Sequence, residues 1–121
     1  MSIKPAIIGN WKMNGTGRDV KLVSRFADFL NAQKIAADVM ICPPPTLINR
    51  AAIASKGTKL NLGAQDCHIE MSGACALDVS AAMVKDAGGT WVIVGHSERR
   101  ARYGETDKQV RQKAETAISQ G

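Results

Sequence analysis

The chain's 121 residues, 45% hydrophobic and 22% charged, are one domain's worth of ordinary globular sequence and exclude a disordered chain. No apolar run approaches the roughly 18–20 residues of a membrane span, and Met1-Ser2-Ile3-Lys4-Pro5 lacks the apolar centre of a signal peptide, so no membrane partner and a cytoplasmic location are expected. The net charge of +5 is spread along the chain with no nucleic-acid signature and few aromatic side chains to stack on bases, so no nucleic-acid partner is expected; the charge serves attraction of a small anionic substrate, or solubility.

Ala6-Ile7-Ile8-Gly9 reads as a short buried strand that ends in glycine and is followed at once by Asn10, Trp11, Lys12, Met13 and Asn14. An amide and an ammonium therefore leave the carboxyl end of a strand. From Arg18 to Gln33, Val20, Val23, Phe26, Ala27 and Leu30 recur at helical spacing, with Arg25, Asp28 and Asn31 turned outward. Asp38 to Cys42 is the second strand, and Pro43-Pro44-Pro45 stops it because proline donates no ladder hydrogen bond. Thr46 is expected to cap a short helix to about Ala54, and Leu60 to Ala64 forms the third strand. The connection from Gln65 to Asp78 has the length of a functional or interfacial loop. Ser80 caps the next helix, which Gly88-Gly89 closes.

The fourth strand carries the densest chemistry: Trp91-Val92-Ile93-Val94 stops at Gly95 and is followed by His96, Ser97, Glu98, Arg99 and Arg100. A consecutive apolar run predicts a strand covered on both faces. If a helix starts at Ser97, the His96 ring lies beside its free N–H groups, which favour a neutral imidazole. Arg99 and Arg100 are read as structural ion-pair residues. Thr106-Asp107-Lys108-Gln109 is a capping box opening a final helix marked by Val110, Ala114, Ala117 and Ile118.

The order is βαβαβαβα, which implies a parallel sheet with right-handed crossovers and outer helices, in an open doubly wound sheet or part of a barrel. No G-x-G-x-x-G or phosphate-loop pattern is present, which argues against a nucleotide site. The three cysteines, Cys42, Cys67 and Cys75, are odd in number and form no C-x-x-C pair, so reduced thiols are expected. The neighbours Cys67 and His68 make a poor zinc site without a second ligand pair, and no metal is expected.

Taken together, Gly9-Asn10-Trp11-Lys12-Met13-Asn14, Gly63-Ala64-Gln65-Asp66-Cys67 and Trp91 through Arg100 closely resemble three motifs of the triosephosphate isomerase family, in order and along essentially the whole chain. The resemblance implies the N-terminal half of a TIM barrel: a (β/α)4 unit with a four-stranded parallel sheet, a single half-barrel domain over residues 1–121. It implies interconversion of dihydroxyacetone phosphate and glyceraldehyde 3-phosphate through an enediolate, with no metal or organic cofactor. By motif, Lys12 contacts the anionic substrate and Asn10 positions it. His96 polarises the carbonyl and moves protons between the oxygens, and Glu98 organises the charges beside Lys12.

Two features depart from the family pattern. A whole barrel takes roughly 250 residues and eight strands, and the family's glutamate base, lid and main phosphate-binding backbone belong to the half not represented here. Glu98, Glu105 and Asp66 are the carboxylates near the site, and their spacing singles out none as a replacement base. In the long loop, Cys75-Ala76-Leu77-Asp78 stands where the family has an aromatic, threonine, glycine and acidic residue, and the threonine that supports a neighbouring subunit's site is missing. Four strands also leave sheet edges and an apolar face to be covered, by self-association into a homo-oligomer or by a complementary C-terminal half barrel. The alternative to an enzyme is a catalytically silent assembly module.

Overall fold

Four parallel strands stand side by side in chain order, β1 (Ala6–Asn10), β2 (Asp38–Cys42), β3 (Leu60–Ala64) and β4 (Trp91–Val92), in a curled half barrel. The computed structural model describes residues 2–121. A short 3-10 turn, Gly17–Asp19, leads into α1 (Val20–Asn31); α2 spans Pro45–Ala54, α3 Ala81–Ala87, α4 Ser97–Tyr103 and α5 Asp107–Ser119.

The core lies between the helices and the sheet. Val23, Ala27 and Leu30 of α1 and Ala51 of α2 pack on Val39 and Ile41 of β2 and Leu60 and Leu62 of β3. A second cluster joins Ile48 of α2, Ala64 of β3 and Val84 of α3. The alternation along β2 and β3 is the period-two rule: residues two apart share a face. Register carries this order to the rim, since Asn10 pairs with Cys42 and Ala64 with Val92. The carboxyl ends of the strands therefore open on one side, where the following loops meet.

Several boundaries differ from the sequence reading for identifiable reasons. α1 begins at Val20 because Thr16 and Asp19 form a reciprocal capping box around the 3-10 turn. Phe26, expected on the apolar face, is 37% exposed. α2 is capped at Pro44, not Thr46: Pro45 supplies a pre-set φ at the first helical position, where a missing N–H costs nothing. β4 ends at Val92, two residues short of the apolar run. Ile93 N–H still donates to Ala64 O at 2.9 Å, but β3 stops there, so Val94 has no neighbouring strand to pair with.

Nor are both faces covered everywhere. β2 is buried throughout its last four residues, as an interior strand should be, whereas Ile7 and Ile8 of the edge strand β1 are 56% and 48% exposed and Trp91 is 41% exposed. The uncovered apolar surface expected for four strands is present. The caps read from sequence at α3 and α5 form as expected: Ser80 Oγ accepts the Met83 N–H, and Thr106 and Gln109 exchange bonds. Gly88 ends α3 at φ 105°, a backbone conformation that only glycine enters without strain.

Candidate active site

Where β1 ends, the chain turns sharply. Asn10 Oδ1 accepts the Lys12 backbone N–H at 2.9 Å, which bends the strand end into an Asx turn and holds Lys12 at φ 57°. A lysine in the left-handed region stores strain on the order of 1 kcal/mol or more and persists only where neighbours over-determine it. They do so here. Trp11 N–H donates to Cys42 O at 3.1 Å, Asn14 Nδ2 donates to Trp11 O at 2.9 Å, and Gln65 Nε2 donates to both Lys12 O at 2.8 Å and Cys42 O at 2.9 Å.

Gln65 is a positioning residue that the sequence reading quoted within a motif without giving it a role. Its signal was its place immediately after the last residue of β3, level with the turn it clamps.

At the end of β4, Gly95 adopts φ 72° and releases the chain into α4. His96 is the N-cap of that helix: its Nδ1 accepts the Glu98 N–H at 3.2 Å. A nitrogen that accepts carries no proton, so the ring's N–H is at Nε2, a hydrogen-bond donor. The conditional helix at Ser97 thus forms, and it fixes the imidazole.

Glu98 joins the two strand ends. Its Oε1 receives Lys12 Nζ at 2.6 Å, and its Oε2 lies 3.8 Å from His96 Nδ1. The hydrogen bond from Lys12 is the largest influence and holds the Glu98 carboxyl below its ordinary pKa; desolvation, the next largest, opposes it, and the charges of Lys12 and Arg102 assist. Because the folded value is depressed, the stabilisation is present above the ordinary carboxylate range and is lost as pH falls through the folded value. In Lys12→Met the Glu98 carboxyl pKa rises, because its largest depressing influence is removed. Carboxyl-carbon NMR titration reads this directly; an unmoved curve would show that Lys12 is not the partner that matters.

Asn10, Lys12, His96 and Glu98 all line one cleft of about 600 Å³, together with Gln65 and Asp66. The other two carboxylates considered as bases are committed elsewhere. Lys113 Nζ meets Asp66 Oδ1 at 2.9 Å and also pairs with Glu105, which is buried behind the cleft wall. Arg99 Nε lies 3.3 Å from Asp66 Oδ2, close enough to pair but misaligned for a hydrogen bond, and its guanidinium stacks over Tyr103 at 4.4 Å. Arg100 binds Asp107 and Gly95 O. Both arginines make the ion pairs expected of them from the sequence, and Arg99 also lines the cleft.

A curled parallel sheet that delivers an amide, an ammonium and an oriented imidazole to one rim, at the carboxyl ends of its strands, defines half of a (β/α) barrel. Residues 5–121 match the family model described as triosephosphate isomerase. The chain is 50% identical over 119 residues to the triosephosphate isomerase of Afipia carboxidovorans, covering 98% of this chain and 47% of the relative. It is 51% identical over 118 residues to that of Caulobacter vibrioides, with coverage of 98% and 47%. The crystal structure of triosephosphate isomerase from Bartonella henselae superposes with a TM-score of 0.91 at 42% identity, over 97% of this chain and 48% of that one. The chain belongs to the triosephosphate isomerase family, and it spans about half the length of the curated relatives it matches.

Proposed function

We propose that this chain supplies the electrophilic half of a triosephosphate isomerase site, interconverting dihydroxyacetone phosphate and glyceraldehyde 3-phosphate through an enediolate without metal or organic cofactor. The observation that carries this reading is the convergence of Asn10, Lys12 and His96 on one cleft, joined by Glu98. Lys12 and Asn10 bind the anionic substrate. As a base removes the proton from carbon, negative charge develops on the carbonyl oxygen, where the His96 Nε2–H and the Lys12 ammonium donate to it. His96 then exchanges its proton between the two oxygens. In this family a neutral histidine electrophile works beside a glutamate base, and His96 matches the histidine's place in the motif.

The base comes from another segment or another chain. Glu98 is engaged by Lys12, and Asp66 and Glu105 by Lys113, so none of the three stands free to abstract a proton. By itself this chain is therefore inactive or very weak. The deciding experiment measures triose phosphate isomerisation by the chain alone and after mixing with a complementary C-terminal half barrel. Turnover restored by mixing supports the reading; background rates in both, with a complex formed, would sink it.

A second reading, a silent module whose main property is self-association, is favoured by the exposed Ile7, Ile8 and Trp91 and by an apolar cavity of about 250 Å³ between α3, β4 and the end of α5. It predicts a defined homo-oligomer at micromolar concentration in sedimentation velocity, with Ile8→Lys shifting it toward monomer. A folded monomer at that concentration would count against it.

A further inference from the structure

The loop between β3 and α3 gathers a second group of side chains that the catalytic reading does not use. His68, Glu70 and Cys75 each offer one donor atom, and those atoms lie within 4.8 Å of one another. We propose that these three residues form a binding site for a divalent transition metal of the zinc class.

Cys67 and His68, neighbours in sequence, fail as a ligand pair because their side chains part. Cys67 points into the core, its Sγ 3.9 Å from Lys113 O on α5. His68 points the other way, toward residues that the loop brings back from two and seven positions further on. Sequence adjacency separated what the loop's fold joins.

The loop is closed and anchored. His68 N–H donates to Val79 O at 2.9 Å across its base, Thr116 Oγ1 on α5 donates to Ile69 O at 2.7 Å, and Cys75 N–H donates to Gly73 O at 2.9 Å. Gly73 leaves room for the ligand carboxylate: a Cβ there would stand 2.9 Å from Glu70 Oε2. Within the loop, Cys75 Sγ lies 3.9 Å from Glu70 Oε2, and His68 Nε2 lies 3.8 Å from Asp78 Oδ2.

Charge favours a cation. Among the described residues, no Lys or Arg nitrogen comes within 4.0 Å of the Glu70 or Asp78 carboxylates. Two carboxylates and a thiol therefore share a loop with only an imidazole for company.

The chemistry of the donor set selects the metal. Thiolate, imidazole and carboxylate together suit zinc, with bonds near 2.0–2.3 Å that place tetrahedral ligands roughly 3.5 Å apart. Donors within 4.8 Å reach that spacing by side-chain rotation. On binding, the Cys75 S–H bond breaks, its proton passes to solvent, and the sulfur lone pair forms the metal bond, while His68 Nδ1, which accepts the Glu70 N–H at 2.9 Å, exchanges that hydrogen bond for the metal and keeps its proton on Nε2, with no change in oxidation state. Water completes the coordination, and Asp78 faces the imidazole's Nε2 side.

The test uses the reduced protein with cobalt(II) alone as the spectroscopic probe and zinc(II) alone for calorimetry. The expected result is one-to-one binding with a thiolate-to-cobalt charge-transfer band. Cys75→Ser abolishes the band, and Glu70→Gln, an exposed change whose fold is checked by circular dichroism, weakens zinc binding at least tenfold. Absence of the band in the parent protein, its survival in Cys75→Ser, or undiminished zinc affinity in folded Glu70→Gln would each overturn the site.

Discussion

Lys113→Met destabilises the chain by about 3–5 kcal/mol, the range for removing one partner of a buried ion pair. The Lys113 and Glu105 side chains are only 10% and 5% exposed, and methionine fills the lysine's space while leaving the Glu105 carboxylate without a counter-charge. One Glu105 oxygen has no protein partner even in the parent, so nothing nearby takes over. Asp66 fares better, since Arg99 remains within 3.3 Å. Against a typical domain stability of about 5–15 kcal/mol this change is close to unfolding. Urea denaturation of Lys113→Met beside Lys113→Met/Glu105→Leu separates lost charge pairing from lost packing. The double variant recovers most of the loss, because replacing both members of a buried pair by apolar groups is often neutral. A single variant within about 1 kcal/mol of the parent would contradict the assignment.

The same cluster gives an alkaline limit. Desolvation is the largest single influence on Lys113 and lowers its pKa, but the hydrogen bonds and charges of Glu105 and Asp66 outweigh it, so the folded value lies above the ordinary one. A raised folded pKa contributes stability that is complete below the unfolded value, about 10.4 for lysine, and is lost as pH rises through the folded value.

His96→Gln lowers the rate of triose phosphate isomerisation in the completed site by about 10²–10⁴-fold, the usual contribution of a positioned acid–base group. Under the proposed function the loss falls mainly on kcat, since His96 is assigned to charge that develops in the transition state whereas Lys12 is assigned to ground-state binding as well. Glutamine retains an oxygen that can accept the Glu98 N–H, so the start of α4 is preserved and circular dichroism is unchanged. Both proteins are purified identically, because a trace of host isomerase gives the same rate in each. Equal rates would show that the observed turnover is foreign and that His96 performs no chemistry here.

What the sequence determined by itself was local. β2 and β3 occupy the residues read as strands, because short apolar runs bounded by proline and glycine leave little choice of boundary. Ser80 and Thr106 cap the helices they were expected to cap, since a cap is a contact between residues two or three apart. The motifs likewise put Asn10, Lys12, His96 and Glu98 at strand ends. Tertiary structure decided whatever depended on residues distant in the chain. Gln65 clamps the Lys12 turn across 53 positions, Lys113 withdraws Asp66 and Glu105 from acid–base work across 47 and 8, and His68 leaves its neighbour Cys67 to face Cys75. Strand limits at the sheet edge belong to this second class, because the length of β4 is set by where β3 ends. Pattern fixes which atoms a residue can offer, and only packing fixes which of them are already taken.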